Sequence, residues 1–402
     1  MREREMPDGE APRGRVLVIG LDGATFDLLL PWMEEGRLPH LAAIWRRSSY
    51  GYLRSTIPPM TACAWPSFQT GKNPGKHGLF DFMQYEPGSY ETTFINARSL
   101  REEPLWETLG QYGKQVVVIN VPITYPPRPV NGFLISGMMT PGVNVEFTYP
   151  ANLGQELLDE IGDYQILLPA GAVVYMGPRN FVDKMRHVTR KRAETADFLM
   201  RRIDWDFFMV HFQSPDALQH ALWSHLDPHH PAYPATKEED REYVQDYYRE
   251  LDSLVGGVVR GAGENVTVIL MSDHGFGPVR ERFHVNRWLA ARGLLTVASS
   301  LPQRVLDSLD GVLQWDVALK LRRRLVSPRG KQDARLRRLT QQALIDWANT
   351  RAFALQGSVA IRLLINRRGR EPLGIVEPGA EYEKLRDDIA EQLLQIRAPK
   401  TG

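Results

Sequence analysis

Cysteine is almost missing from this chain: among 402 residues, Cys63 is the single one. One thiol excludes an internal disulfide framework and a cysteine-built zinc site, and it accords with a reducing compartment. Any metal chemistry falls to His, Asp and Glu. An excess of one charge is lacking too, since 49 Lys and Arg against 48 Asp and Glu leave a formal charge of +1. Nothing here suggests a polyanion-binding surface of the nucleic-acid type, so any phosphate chemistry must be local. No apolar run approaches the roughly 20 residues needed to span a bilayer. The opening MREREMPDGEAPRG is charged and has no apolar core, unlike a secretory signal. The expectation is a soluble, cytoplasmic protein without a nucleic-acid or membrane partner.

What is present is a rhythm of short apolar runs. Arg15–Leu21 (RVLVIGL), Gln115–Val121 (QVVVINV), Trp205–Phe212 (WDFFMVHF) and Val266–Met271 (VTVILM) read as strands buried on both faces of a parallel sheet. Helical stretches lie between them, at Leu105–Tyr112, Phe181–Ile203 and Glu238–Val259. Strands alternating with helices predict an α/β sandwich. From about Ser299 to Asn366 the rhythm breaks, with a basic amphipathic run, VALKLRRRLVSPRGKQDARLRR, and strand-like pieces such as AIRLLIN. That run is read as a solvated helical face, with a phosphate-facing surface as the sharper alternative.

In open α/β sheets, ligands bind beyond the carboxyl ends of the strands. Asp22 and Gly23 follow the first run, QSPDALQH with Asp216 and His220 follows the third, and Asp273 and His274 follow the last. Each has a dull reading: a turn for Asp-Gly, and an N-cap or a surface i,i+4 pair for Asp216 and His220. Recurrence at equivalent places is harder to dismiss, because adjacent buried Asp and His need a partner such as a cation. Carboxylate with imidazole suits zinc or manganese. A further block, PPMTACAWPSFQTGKNPGKHG at 58–78, places Thr61 before a short helix whose Pro66 is expected in the first turn. Thr61 is either an N-cap or a nucleophile whose pKa a metal lowers. Lys72 and His77 read as polar loop residues.

The opening GLDG, the T-x(8)-T-G-x-x-P-x-x-H-G block at 61–78, the D-x-x-x-H at 216–220 and the SDHGF at 272–276 together resemble the alkaline phosphatase superfamily, in its type I phosphodiesterase/nucleotide pyrophosphatase branch. The resemblance implies an alkaline phosphatase-like α/β sandwich with a mostly parallel central sheet flanked by helices. It implies two divalent ions, zinc with manganese as the alternative. Asp22, Thr61, Asp273 and His274 would hold one, with Thr61 as attacking oxygen, and Asp216 and His220 the other. Two such ions, about 3.5–4 Å apart, clamp the attacking and leaving oxygens of a displacement at phosphorus. The implied activity is hydrolysis of a small phosphate ester or nucleotide through a phosphothreonine. On this reading residues 1–14 form a disordered tail, 15–298 the catalytic core, 299–366 an insertion or cap, and 367–402 the C-terminal part of the core.

Two features depart from the family pattern. Phe82 follows Asp81 where the family carries an Asn that helps hold a phosphate oxygen, which weakens the nucleotide-diester reading. No histidine follows His284, although the family's second metal takes a late His. The chain also ends on RAPKTG directly after a helix at Glu381–Ile396, so a fragment is expected. In a complete chain the second site would be weak or absent, with His284 the first substitute. The alternatives are a phosphoglycerate mutase-like phosphoryl transferase, or a catalytically weak homologue that binds a phosphorylated ligand. A sulfatase is disfavoured because Cys63-Ala-Trp-Pro-Ser lacks the Arg of the sulfatase motif, and Cys63 reads as a packed small residue.

Overall fold

The computed structural model describes residues 14–167, 170–281, 283–297, 345–355 and 361–397. Contacts divide the chain into one unit of Met1–Phe82 with Ile95–Pro278 and another of Met83–Phe94 with Val279–Gly402. Part of the expected core, 83–94 and 279–297, thus groups with the second unit, as do the described residues after 344. The basic run of the expected cap and the expected N-terminal tail up to residue 13 lie outside the described residues.

The strands are β1 (Arg15–Leu21), β2 (Met83–Tyr85), β3 (Thr92–Phe94), β4 (Val116–Ile119), β5 (Gly132–Ile135), β6 (Thr148–Tyr149), β7 (Phe207–Phe212), β8 (Val266–Met271), β9 (Ala352–Leu355) and β10 (Arg362–Ile365). In the first unit six of them form one sheet, ordered β6-β5-β4-β7-β1-β8. Every neighbouring pair is parallel except β5 with β6. The expected α/β architecture, a mostly parallel sheet flanked by helices, is the one observed.

Alternation along the strands builds two cores from one sheet. Leu17, Ile19, Val117, Ile119, Phe208 and Val210 enter one hydrophobic cluster, while Val18, Val116, Val118 and Met209 enter the cluster on the opposite face. Each such fully buried aliphatic side chain stabilises the fold by about 1.5–3 kcal/mol relative to exposure. The larger cluster is closed by α1 (Phe26–Glu34), α2 (Pro39–Arg46), the 23-residue α8 (Pro178–Met200), α9 (Ser214–Leu226) and α10 (Glu238–Gly261). The opposite face is covered by α3 (Thr61–Thr70) and α5 (Leu105–Gln111), which supply Trp65 and Trp106. Asp252 of α10, itself buried, accepts from the His40 and Leu41 N–H groups at 3.0 and 2.7 Å. It therefore satisfies donors that the start of α2 would otherwise leave orphaned.

Two local expectations change. β8 is the outermost strand of the described sheet and pairs with β1 alone, so its side chains alternate between partly buried and exposed rather than being buried on both faces. Pro66 lies in the second turn of α3, not the first. The helix gives up one N–H there and continues to a left-handed cap at Gly71.

In the second unit, β2 and β3 form one antiparallel hairpin and β9 and β10 another. Its core gathers Trp288 and Leu289 from the helix Val285–Ala291, Phe353 and Ile365 from the second hairpin, and Leu385 and Ile389 from the helix Ala380–Leu394. His284 is exposed and stands at the N-cap of the first of these helices. No described helix is long and apolar enough to cross a membrane.

Candidate active site

Three neighbouring strands, β7, β1 and β8, deliver the site from their carboxyl ends. The step of two that places Val16 and Val18 on the α3 side of the sheet puts Gly20 and Asp22 on that side as well. Gly20 pairs in register with His211. A Cβ on Gly20 would stand 2.6 Å from the Trp65 ring and 3.3 Å from the His211 ring, so glycine is what lets both rings reach Asp22. They do: Trp65 Nε1 donates to Asp22 Oδ2 at 3.2 Å, and His211 Nε2 lies 2.9 Å from the same oxygen. The other oxygen, Oδ1, is left facing the nucleophile candidate and His274.

Thr61 is the first helical residue of α3; the N-cap is Met60, which makes no side-chain cap bond. The N-cap alternative for Thr61 therefore drops out. Its Oγ1 donates to Asp22 Oδ1 at 3.3 Å and lies 3.2 Å from His274 Nε2. The His274 Nδ1 nitrogen donates to the Gly275 carbonyl at 2.8 Å, which leaves Nε2 as the acceptor nitrogen of the neutral ring. Asp273 takes the Gly23 N–H on Oδ1 at 3.1 Å. Its Oδ2 is 3.3 Å from His274 Nε2, a contact off hydrogen-bond geometry, so that buried oxygen has no hydrogen-bond partner among the described residues.

Asp22, Asp273 and His274 each present a ligand atom within 4.8 Å of the others, a grouping that can hold a metal ion. Asp216 and His220 form a pair beside it. Asp216 sits in the first turn of α9, where the positive helix end favours a carboxylate. Its Oδ1 lies 3.3 Å from His220 Nε2, again without hydrogen-bond geometry, and is a second orphaned buried acceptor. His220 keeps 51% of its side chain exposed and leans edge-on against Phe276.

The electrostatics match a site built for cations. Burial, then the neighbouring Asp216 charge, pushes the Asp22 carboxyl up to about 7. Burial and then Asp22 push Asp273 up to about 7. Burial opposes charging of His274, but Asp273 and Asp22 outweigh it and raise its pKa. His211 Nδ1 faces the Asn120 carbonyl at 3.1 Å and burial holds the ring down to about 3, so a neutral imidazole, not an imidazolium, stands against Asp22. Buried acidic groups raised in this way, with orphaned oxygens turned inward, are what a positive ion would compensate.

The family model for type I phosphodiesterase / nucleotide pyrophosphatase matches residues 16–392. The chain belongs to that family. Among solved structures, phosphonoacetate hydrolase from Sinorhizobium meliloti 1021 in complex with phosphonoacetate is similar at 17% identity and a TM-score of 0.46, over 71% of this chain and 64% of that one. A 2-O GAG sulfatase gives 13% identity and a TM-score of 0.41, over 65% and 58% of the two chains. This phosphodiesterase-family chain thus covers 64% of the hydrolase's length. No curated protein matches it.

Three residues of this phosphodiesterase-family site escaped the sequence reading. His211 and Trp65 hold Asp22, and Gln219, between Asp216 and His220, donates to the Gly23 carbonyl at 2.9 Å. A histidine inside the otherwise apolar FFMVHF is the one signal that could have been heeded. His77 is not a loop residue: fully buried in the short helix Pro74–His77, it accepts the Leu79 N–H on Nδ1 and donates from Nε2 to Ser67 Oγ at 3.0 Å. It ties this turn to α3. Cys63 is fully buried, as a packed small residue should be.

Proposed function

We propose that this chain is a metal-dependent hydrolase of phosphate esters, of the phosphodiesterase or pyrophosphatase type, which works through a transient phosphothreonine on Thr61. The observation that carries this reading is Thr61 Oγ1, held within 3.3 Å of both Asp22 Oδ1 and His274 Nε2 at the start of α3. Membership of the phosphodiesterase family supports the reaction class. The substrate is a small phosphate ester or nucleotide.

Asp22, Asp273 and His274 fit a divalent ion, zinc with manganese as the alternative; for a second ion the described residues offer the pair Asp216 and His220. Asp22, Asp273, His274 and the Thr61 oxygen would hold one ion, and Asp216 with His220 the other; the orphaned Asp273 Oδ2 and Asp216 Oδ1 support this division. Bound cations there supply the positive charge that lowers the pKa of a coordinated hydroxyl or water and stabilises phosphoryl oxygens.

The chain's own groups account for the rest. Asp22 Oδ1 accepts the Thr61 hydroxyl proton, and the positive N-terminal end of α3 favours negative charge on that oxygen. The oxygen attacks phosphorus; one P–O bond forms, the ester P–O bond breaks, and the departing oxygen keeps the electron pair and takes up a proton. Water then attacks the phosphothreonine, its hydroxyl going to phosphorus and its proton restoring the Thr61 hydroxyl. Trp65 and His211 keep Asp22 from rotating its accepting oxygen away.

The test is hydrolysis of bis(p-nitrophenyl) phosphate after incubation with zinc or manganese. Thr61→Ala should fall to background with an unchanged circular dichroism spectrum, while Thr61→Ser keeps part of the rate because its hydroxyl survives. Undiminished turnover in Thr61→Ala would remove Thr61 from the mechanism.

A further inference from the structure

Gln219 lies on α9 between Asp216 and His220 and is 1% exposed. Its partners fix the orientation of its amide. Nε2 donates to the Gly23 carbonyl at 2.9 Å and to the Pro215 carbonyl at 3.1 Å, two acceptors that only the nitrogen can serve. Its Oε1 is buried without a hydrogen-bond partner among the described residues. The Pro215 carbonyl is on the same helix, one turn back, so the bond that reaches out of α9 is the one to Gly23.

Gly23 is the junction of the site. It follows Asp22 in the chain, and its N–H donates to Asp273 Oδ1. Its backbone is left-handed, with φ +64, and a Cβ there would stand 3.1 Å from Asp216 Oδ1 and 3.3 Å from Asp216 Cα. One residue is thus bonded to Asp22, hydrogen-bonded to Asp273 and packed on Asp216, and Gln219 ties it to α9.

We propose that Gln219 is a positioning residue that locks α9 onto the Asp22–Gly23 turn and so fixes the cation position of Asp216 and His220 against that of Asp22, Asp273 and His274. The inference rests on the two-cation reading above. It matters because misplacement of a catalytic group by about 1 Å can cost on the order of 10²-fold in rate.

The experiment is calorimetric titration of the full-length, metal-free chain with zinc, in the wild type, Gln219→Met and Gln219→Glu. Thermal melts of the metal-free proteins and kcat and KM for bis(p-nitrophenyl) phosphate complete it. Methionine keeps the volume and loses the donor; glutamate keeps the shape and cannot donate to a carbonyl. Two ions are expected in the wild type. Both variants should bind the first ion with wild-type affinity and the second about 10-fold or more weakly, which corresponds to about 1.4 kcal/mol, with the loss of turnover in kcat rather than KM.

Wild-type affinities for both ions in Gln219→Met, with only a lower melting temperature, would show a purely structural role and overturn the proposal. Second-ion affinity at or above the wild-type value in Gln219→Glu would likewise overturn it. If Gln219→Met does not fold, the Gln219→Glu titration carries the same decision. Fewer than two ions in the wild type would instead defeat the two-cation reading, and this proposal with it.

Discussion

The two groups proposed to hold cations differ in how their side chains are held. In the first, every ligand has its spare atom engaged: Asp22 Oδ2 by Trp65 and His211, Asp273 Oδ1 by the Gly23 N–H, and His274 Nδ1 by the Gly275 carbonyl. Asp22 and Asp273 are, besides, buried at the ends of two paired strands. In the second, Asp216 and His220 share one helix, and His220 is half exposed with a ring contact to Phe276 as its lateral support. A ligand is ready for a metal when its other bonds are already made. By that measure the strand-end group is preorganised and the helix pair depends on whatever holds the helix.

This contrast is open to a direct break. Asp273→Ala is expected to abolish tight zinc binding, since it removes one of three gathered ligands from the rigid group. Asp216→Ala should keep one zinc per chain. Elemental analysis after dialysis reads both outcomes, and loss of all zinc from Asp216→Ala would mean that the groups are not separable.

A second effect concerns pH. Asp22 and Asp273 are raised to about 7 in the folded chain, against about 3.9 for an unperturbed Asp. A folded pKa above the unfolded one gives stability that is complete below about pH 4 and is lost as pH rises through about 7. Without metal, the melting temperature should decline across that window more steeply in the wild type than in Asp273→Asn. With zinc the difference should reverse, because the ion binds the ionised carboxylates and releases their protons. A wild type and Asp273→Asn that change with pH in parallel in EDTA would rule out the buried-carboxyl account.

A smaller change sharpens the comparison by leaving the site alone. Asp252→Ala removes the acceptor of the His40 and Leu41 N–H groups, and should cost about 1–3 kcal/mol of stability by leaving buried donors unmet. Both zinc affinities should stay as in the wild type. A shift in either affinity would show that packing between α10 and α2 is transmitted to the ligands.

Much of the site could be read from the sequence because buried parallel strands are apolar runs, and the residue after such a run sits where ligands bind. That logic singled out Asp22, Asp273 and the Asp216–His220 pair as candidates, and it placed β1, β4, β7 and β8 within two residues at either end. It failed for β5 and β6, four and two residues long, which carry too little pattern to register. The exposure of β8 was missed because position at a sheet edge is a property of strand order, which the run VTVILM does not encode. The supports of the ligands were missed for a related reason. His211 matters because it stands opposite Gly20 on the neighbouring strand and meets Asp22 from 189 residues away, and Gln219 because its amide meets a carbonyl 196 residues away.

The indole of Trp65 gives the site an optical readout. Its N–H is bonded to a candidate metal ligand while its ring is fully buried, so any change in charge on Asp22 alters the field along the chromophore. Zinc binding to the strand-end group should therefore shift or quench the tryptophan emission, and the change should vanish in Trp65→Phe although eight other tryptophans remain of the chain's nine. Stopped-flow mixing could then time ion entry without a substrate. A zinc-induced signal that persists in Trp65→Phe would assign it to another ring.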